Sequence, residues 1–309
     1  MRIVYMGTPE FAVNPLKKLD ENYEVIMVVT QPDKEVGRKK EIKYSEVKKY
    51  ALEHNIPVFQ PEKIRNDYQT IIDANPDVII TCAYGQIIPK ELLDYPKYKC
   101  INIHASLLPK LRGGAPIHWS IINGDSKTGI TIMYMNEKMD EGDILYQKEI
   151  EILDSDNVES LHDKLSELGS KMIIDFIPML EEGNINPVKQ NNSEATYGYN
   201  VTREDEHIDF NKTSREIFNQ IRGLNPWPVS YAVLDNKVFK IYASRISDNK
   251  PNGEIGEIVN VYLDGLGVKT SDGEIIITEI KEEGKNRILV KDYLNGIHDK
   301  DSLKHKIFS

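Results

Sequence analysis

Cys100-Ile101-Asn102-Ile103-His104-Ala105-Ser106-Leu107-Leu108-Pro109-Lys110-Leu111-Arg112-Gly113-Gly114-Ala115-Pro116 joins a short apolar run to a loop punctuated by Pro and Gly. Successive side chains of a strand point to opposite faces, so Ile101 and Ile103 share one face and Asn102 and His104 share the other. Two neighbouring polar side chains on a buried strand are costly unless they have partners or a task. One reading is an internally satisfied Asn/His pair. The other follows from the strand ending at His104, because ligands of open α/β sheets bind beyond the carboxyl ends of strands.

Outward from this stretch the first half of the chain alternates short apolar runs with helical patterns. Arg2 to Met6, Val25 to Thr30 and Val78 to Ala83 read as strands, and Phe11 to Leu19, Ser45 to His54 and Tyr68 to Ala74 as the helices between them. That alternation predicts an α/β fold with a mostly parallel, Rossmann-like sheet. A hairpin is expected next, Ile130 to Tyr134 and Ile144 to Ile150, joined through Met139-Asp140-Glu141-Gly142-Asp143. Leu161 to Leu180 carries the apolar period of a helix.

Residues 184–205 are polar, rich in Asn and aperiodic, and read as a linker between a first domain, 1–183, and a second, 206–309. The second opens with a capping box at Thr213 and Glu216. Short strands follow, split by the turn signals Asp235-Asn236, Asp264-Gly265 and Asp272-Gly273, a spacing that fits a small OB-like β-barrel.

The opening apolar run, Ile3 to Met6, is too short for a signal peptide, and no apolar run is long enough to span a bilayer. A cytoplasmic location is expected, and a monomer. Cys82 and Cys100 sit in or beside apolar runs and read as buried thiols, with no spacing that suggests a metal site. The net charge of −10 argues against nonspecific coating of nucleic acid. A local basic stretch remains at Lys34, Arg38, Lys39, Lys40 and Lys43. On charge alone it reads as a solvated loop.

The doubly wound pattern raises the possibility of a dinucleotide site, but Gly7-Thr8-Pro9-Glu10-Phe11 follows the first strand in place of G-x-G-x-x-G. No phosphate-binding G-x-x-x-x-G-K-[ST] occurs either. An amide beside an imidazole suits a different task, which is to stabilise a carbonyl oxygen as it gains charge. Neither is a good nucleophile in this pairing, so the substrate's own amine is the simpler attacking group. A nearby carboxylate would hold the imidazole's charge and help with the amine's proton. Asp140, Glu141 and Asp143 are all candidates.

These residues carry a resemblance. Asn102 and His104, followed by Ser106-Leu107-Leu108-Pro109, Arg112-Gly113 and Pro116, resemble the signature of the folate-dependent formyltransferase family. Met139 to Asp143 resembles that family's aspartate loop, with the catalytic position at Asp140. The resemblance implies catalysis by Asn102, His104 and Asp140, with 10-formyltetrahydrofolate as donor and tetrahydrofolate released. It places Ser106, Leu107, Leu108 and Pro109 along the folate site.

Members of the family formylate glycinamide ribonucleotide, amino sugars or methionyl initiator tRNA. Gly7 to Ala12, Thr30 to Lys40 and Asn225-Pro226-Trp227-Pro228 are similar to segments of the members that act on initiator tRNA. The implied partner is therefore the aminoacylated initiator tRNA, met by Arg38, Lys39, Lys40 and Lys43. Formylation of a small amine, such as an amino sugar nucleotide or glycinamide ribonucleotide, is the alternative. Arg215, Arg222, Lys237, Lys240 and Arg245 are candidate phosphate contacts in the second domain, and Trp227 reads as a buried corner between prolines.

Overall fold

The computed structural model describes residues 1–36 and 41–309, which fall into two compact units. The first comprises Met1–Pro116, Lys127–Glu151 and His162–Tyr199. The second comprises Ile117–Ser126, Ile152–Leu161 and Asn200–Ser309. Of the tRNA-contact expectations, Arg38, Lys39 and Lys40 lie outside the described residues.

In chain order the first unit's strands are β1 (Arg2–Gly7), β2 (Glu24–Val29), β3 (Lys34–Val36), β4 (Glu41–Lys43), β5 (Val58–Phe59), β6 (Val78–Cys82), β7 (Cys100–His104), β8 (Lys127–Tyr134) and β9 (Ile144–Glu151). Seven of them build one sheet in the order β5-β2-β1-β6-β7-β8-β9. The pairs from β5 across to β7 are parallel, and β8 and β9 add antiparallel. From β1 the chain first builds outward through β2 and then returns to add β6 and β7 on the other side. This reversal opens a crevice at the carboxyl ends of the strands, where open α/β sheets place their ligands. β1 and β6 are buried almost end to end, and so read as continuous apolar runs rather than alternating ones.

The expected hairpin is present with longer arms. The helix expected from Leu161 runs Val158–Glu181 and so begins almost a turn earlier. Its start is set by polar groups that an apolar period does not register: Asn157 Oδ1 accepts from the Ser160 N–H at 2.8 Å. β3 and β4 form a two-stranded ribbon inside the basic stretch that reads as a loop.

The segment read as a linker is bound to the first unit as far as Tyr199. Val188 exchanges backbone hydrogen bonds with Ile144, and Gly198 donates to the Arg112 carbonyl. Asn and Gln side chains without periodicity conceal this role, because their bonds are to backbone and not to an apolar core.

The second unit holds β10 (Ser230–Leu234), β11 (Lys237–Ser247), β12 (Ile258–Val261), β13 (Leu266–Lys269), β14 (Glu274–Glu282) and β15 (Ile288–Leu289). The sheet is antiparallel, in the order β10-β11-β14-β13-β12 with β15 on β14. The chain end joins its two edges. Ser309 and Val233 exchange backbone bonds on the β10 side, while Ile258 donates to the Lys306 carbonyl on the β12 side. Closure into a small barrel follows, and it removes the exposed edges. The helix Ser214–Gly223 starts at the Thr213/Glu216 capping box and packs Ile217 and Ile221 into the barrel core.

Candidate active site

β7 places Asn102 and His104 on one face at its carboxyl end, as the alternation predicts. Asn102 Oδ1 lies 2.8 Å from the Thr81 hydroxyl of β6. With its oxygen on that hydroxyl, the amide has Nδ2 as its remaining donor. Thr81 is a positioning residue that the sequence reading missed. It sits mid-strand in an apolar run and gives no pattern signal.

His104 is buried, and its Nε2 lies 3.0 Å from the carbonyl oxygen of Leu111. A carbonyl only accepts, so Nε2 carries a proton and Nδ1 is the atom turned toward the site. Nδ1 lies 3.7 Å from Asp140 Oδ2, an ion pair when the imidazole is protonated. The same Oδ2 accepts from the backbone N–H of Gly113 at 2.8 Å.

Of the three acidic candidates in the loop, Asp140 alone is in contact with His104. Glu141 turns away to Lys138 at 2.9 Å and to Asn192 at 3.3 Å, with Arg112 at 3.7 Å. The hydrogen bond from Lys138 is the largest cause holding its carboxyl below the usual range. Asp143 contributes its carbonyl to the Tyr134 N–H. Asp140 has a φ of +50°, and Gly142 lies so close to Tyr134 that a side-chain carbon there would meet the Tyr134 oxygen at 1.8 Å. The loop is therefore pressed onto the end of β8 with a left-handed residue at its acid.

Two further residues escaped the sequence reading as individuals. Arg112 is 1% exposed, with Nε 3.1 Å and Nη2 2.7 Å from Gln190 Oε1 and Nη2 2.8 Å from Asn192 Oδ1. Gln190 Nε2 in turn donates to the carbonyls of Asp140 and Gly142. The 184–199 segment thus grips both the loop after β7 and the aspartate loop.

The segment 106–109 is less open than expected of a ligand wall. Ser106 is buried, with its hydroxyl donating to the Lys110 carbonyl at 2.7 Å. Leu108 is buried as well, its N–H bound to Thr131 and its carbonyl to Gln147. Leu107 and Pro109 keep partial exposure.

A stretch of open backbone follows β6, the neighbour of β7. Gly85, Gln86 and Ile87 use no backbone N–H or C=O in a hydrogen bond to the described residues, and Ile87 is exposed. Unpaired donors and acceptors beside an apolar side chain suit the edge and face of a flat heterocycle such as a pterin.

The five candidate phosphate contacts of the second unit each have a partner within it. Arg215 pairs with Asp154, Lys237 with Glu282 and Arg245 with Asp264, and Lys240 donates to the Pro228 carbonyl. Arg222 is buried and bonded to the carbonyls of Leu153 and Asp156, so the expectation of a phosphate contact there is corrected to a structural role. Trp227 is 43% exposed, packed edge-on to His118, and not a buried corner. In the basic ribbon, Lys34 and Lys43 are directly opposed across β3 and β4. Opposed like charges destabilise a ribbon until an anion separates them.

Among the described residues no group of three or more His, Cys, Asp or Glu side chains gathers that could hold a metal ion, and no helix is long and apolar enough to cross a membrane.

A mostly parallel sheet carrying an Asn/His/Asp cluster at its carboxyl end, followed by a small antiparallel barrel, is the arrangement of a two-part formyltransferase. Residues 1–177 match the formyl transferase family, and residues 200–298 match its C-terminal domain. The methionyl-tRNA formyltransferase of Bacillus licheniformis is 50% identical over 299 residues, 96% of this chain and 95% of that protein. That of Bacillus subtilis is 50% identical over 301 residues, again 96% and 95%. The chain belongs to the formyl transferase family, in its methionyl-tRNA formyltransferase branch.

Solved structures share the fold at lower identity. WlaRD, a sugar 3N-formyl transferase solved in the presence of dTDP and 5-N-formyl-THF, aligns with a TM-score of 0.67 at 24% identity over 93% of this chain and 99% of that one. An N-formyltransferase from Helicobacter canadensis, in complex with folinic acid and dTDP-3-aminofucose, aligns at 0.66 and 23% identity, over 89% and 98%.

Proposed function

We propose that the protein transfers the formyl group of 10-formyltetrahydrofolate to the free amino group of methionyl initiator tRNA, giving N-formylmethionyl-tRNA for translation initiation. The observation that carries this reading is half-identity to methionyl-tRNA formyltransferases across 96% of the chain. The cluster of Asn102, His104 and Asp140 supports it with chemistry of the right kind.

The folate supplies the formyl carbonyl. Asn102 Nδ2 donates to the formyl oxygen as it gains charge, and protonated His104 stabilises the same charge through Nδ1–H. Asp140, held by Gly113 and 3.7 Å from His104 Nδ1, helps remove the amine's proton. The amine nitrogen bonds to the formyl carbon, and as the carbonyl re-forms the bond from that carbon to the folate nitrogen breaks. The amine's proton passes to the released tetrahydrofolate.

The open backbone of residues 85–87 would hold the pterin, and Ser106, Leu107, Leu108 and Pro109 would line the site through Leu107, Pro109 and backbone. Lys43, with Arg38, Lys39 and Lys40, would meet the acceptor stem. Residues 206–309 would form the C-terminal tRNA-binding domain, which 184–205 links to the catalytic domain, 1–183. The protein works as a cytoplasmic monomer in this reading.

The experiment supplies labelled formyl donor with either methionyl initiator tRNA or small amines, for wild type, Arg38→Ala and Lys17→Ala. Formylation of the tRNA that Arg38→Ala impairs more than Lys17→Ala is expected, with folate affinity unchanged. Formylation of the small amines alone would overturn the tRNA reading.

A further inference from the structure

Tyr197 and Tyr199 stand on either side of the buried Gly198, with 47% and 60% of their surface exposed. Their rings are parallel to within 5°, with centroids 5.4 Å apart. Residues two apart on an extended ribbon project to the same side, and at this distance the parallel rings overlap with an offset, so the pair forms a short exposed aromatic stack.

The ribbon beneath is fixed to the catalytic loop. The Arg112 N–H donates to the Thr196 carbonyl at 2.9 Å, Gly198 donates to the Arg112 carbonyl at 2.8 Å, and Ala115 donates to the Gly198 carbonyl at 2.8 Å. The Leu111 N–H adds a bond to the Thr196 hydroxyl at 2.9 Å. Gly113, whose N–H holds Asp140, has the Gly198 oxygen 3.0 Å from where a side-chain carbon would stand. Met139, itself exposed, has its sulfur 3.7 Å from the same point. The aromatic face is thus tied by one residue to the acid of the proposed site.

Exposed, rigidly mounted aromatic surface beside a reaction centre marks a place where something flat is held. The reaction says what that is. The amine to be formylated sits on an amino acid esterified to the last ribose of an RNA strand, so only a few bonds separate it from that ribose's base. The last nucleotide of an acceptor strand is unpaired, and unpaired bases are held by stacking on aromatic side chains.

We propose that Tyr197 and Tyr199 form a stacking platform for the terminal nucleobase of the aminoacylated acceptor strand. The inference rests on the formyl-transfer reading above and adds a subsite to it. The platform fixes the ribose, and with it the amine, against Asp140 and His104, and it reads the flat face of the base rather than its hydrogen-bonding edge.

The test is a cycle between protein and RNA. One acceptor-stem RNA carries methionine on an ordinary terminal adenosine, and a second carries it on a terminal ribose lacking the base. Wild type should favour the intact RNA by roughly tenfold or more in kcat/KM. The double variant Tyr197→Ala/Tyr199→Ala should use both RNAs alike, with KM for the folate donor unchanged as the sign of an intact fold. Tyr197→Phe/Tyr199→Phe should keep the preference, since a phenyl ring also stacks.

A preference that survives the alanine variant overturns the platform, and so does its loss in the phenylalanine variant. If the alanine variant instead loses discrimination between methionyl and alanyl acceptors while keeping the base effect, the pair reads the amino acid and the inference is wrong. A wild type that formylates neither RNA overturns the transfer reading itself, a result distinguishable from all of these.

Discussion

Gln190 holds the backbone of Asp140: its Nε2 donates to the Asp140 carbonyl at 2.8 Å and, at the same distance, to that of Gly142. Its oxygen is taken by the buried guanidinium of Arg112, so both ends of the amide are used. A left-handed backbone at a residue other than Gly costs about 1–3 kcal/mol and persists only where the surroundings over-determine it. Asp140, with φ at +50°, has that support from Gln190 on its backbone and Gly113 on its side chain.

Gln190→Ala should therefore lower kcat while leaving KM for the folate donor near its normal value. A misplacement of about 1 Å in a catalytic group costs about a hundredfold, which sets the scale of the loss. Gln190→Glu keeps the acceptor for Arg112 but loses both donors, and should fall with the alanine variant. Normal kcat in both would show that the loop holds Asp140 without Gln190.

A similar split is expected within the cluster. Asn102→Ala and His104→Ala should each reduce kcat by roughly a hundred- to a thousandfold, the usual cost of one donor to a developing oxyanion. Thr81→Val removes only the hydroxyl that orients the Asn102 amide, and should cost less. Asp140→Asn should be far more damaging than Asp143→Asn, because only Asp140 faces His104. Steady-state kinetics on the purified variants give the ranking, and an Asp143→Asn enzyme worse than Asp140→Asn would refute the assignment.

The parts of this site that sequence discloses are those that obey a period. Alternation put Asn102 and His104 on one face, and strand-helix alternation put that face at the mouth of a parallel sheet. The long motif from Asn102 to Pro116 and the Asp140 loop then pointed to formyl transfer.

Gln190 and Thr196 obey no period. Each works through one or two bonds to distant backbone, and a polar segment rich in amides looks the same whether it is solvated or bonded to a loop. Arg222 misled for the opposite reason. A guanidinium in a helix reads as a surface charge until its carbonyl partners are known. Trp227, set between prolines, reads as buried, yet it is 43% exposed with its ring edge-on to His118.

The buried thiol of Cys82 gives a dependence on pH. Burial is the largest cause raising it, to about 12, and a hydrogen bond with Tyr5 acts in the opposite sense. An unfolded cysteine titrates near about 8.5. The folded group keeps its proton to higher pH than the unfolded one, so the native state binds more protons in the window between. Stability from this group is complete below the unfolded value and is lost as pH rises from there toward about 12. Denaturant unfolding at a series of pH values should show an alkaline loss that is shallower in Cys82→Ala. The native wild type should also resist thiol reagents at pH 8 and react once unfolded. An unchanged slope together with prompt alkylation of the native protein would mean that Cys82 is accessible.

Arg222 separates a structural cation from an RNA contact. Its Nη1 donates to the Leu153 carbonyl at 2.8 Å and to the Asp156 carbonyl at 3.0 Å, while Nε donates to Asn219 Oδ1 at 3.0 Å. Removing the guanidinium leaves those acceptors without their donor, and a buried polar group so stranded costs about 1–3 kcal/mol. Arg222→Ala should accordingly lower Tm by several degrees. Arg222→Lys should recover only part of the loss, because one ammonium cannot span the same three acceptors with a planar fork. Neither change should alter how steeply tRNA affinity falls with salt, since a cation already committed to carbonyls releases no counterions from RNA. Binding of methionyl initiator tRNA across a salt series, measured beside Tm, decides the matter. A shallower salt dependence at unchanged Tm in Arg222→Ala would return this arginine to the RNA surface.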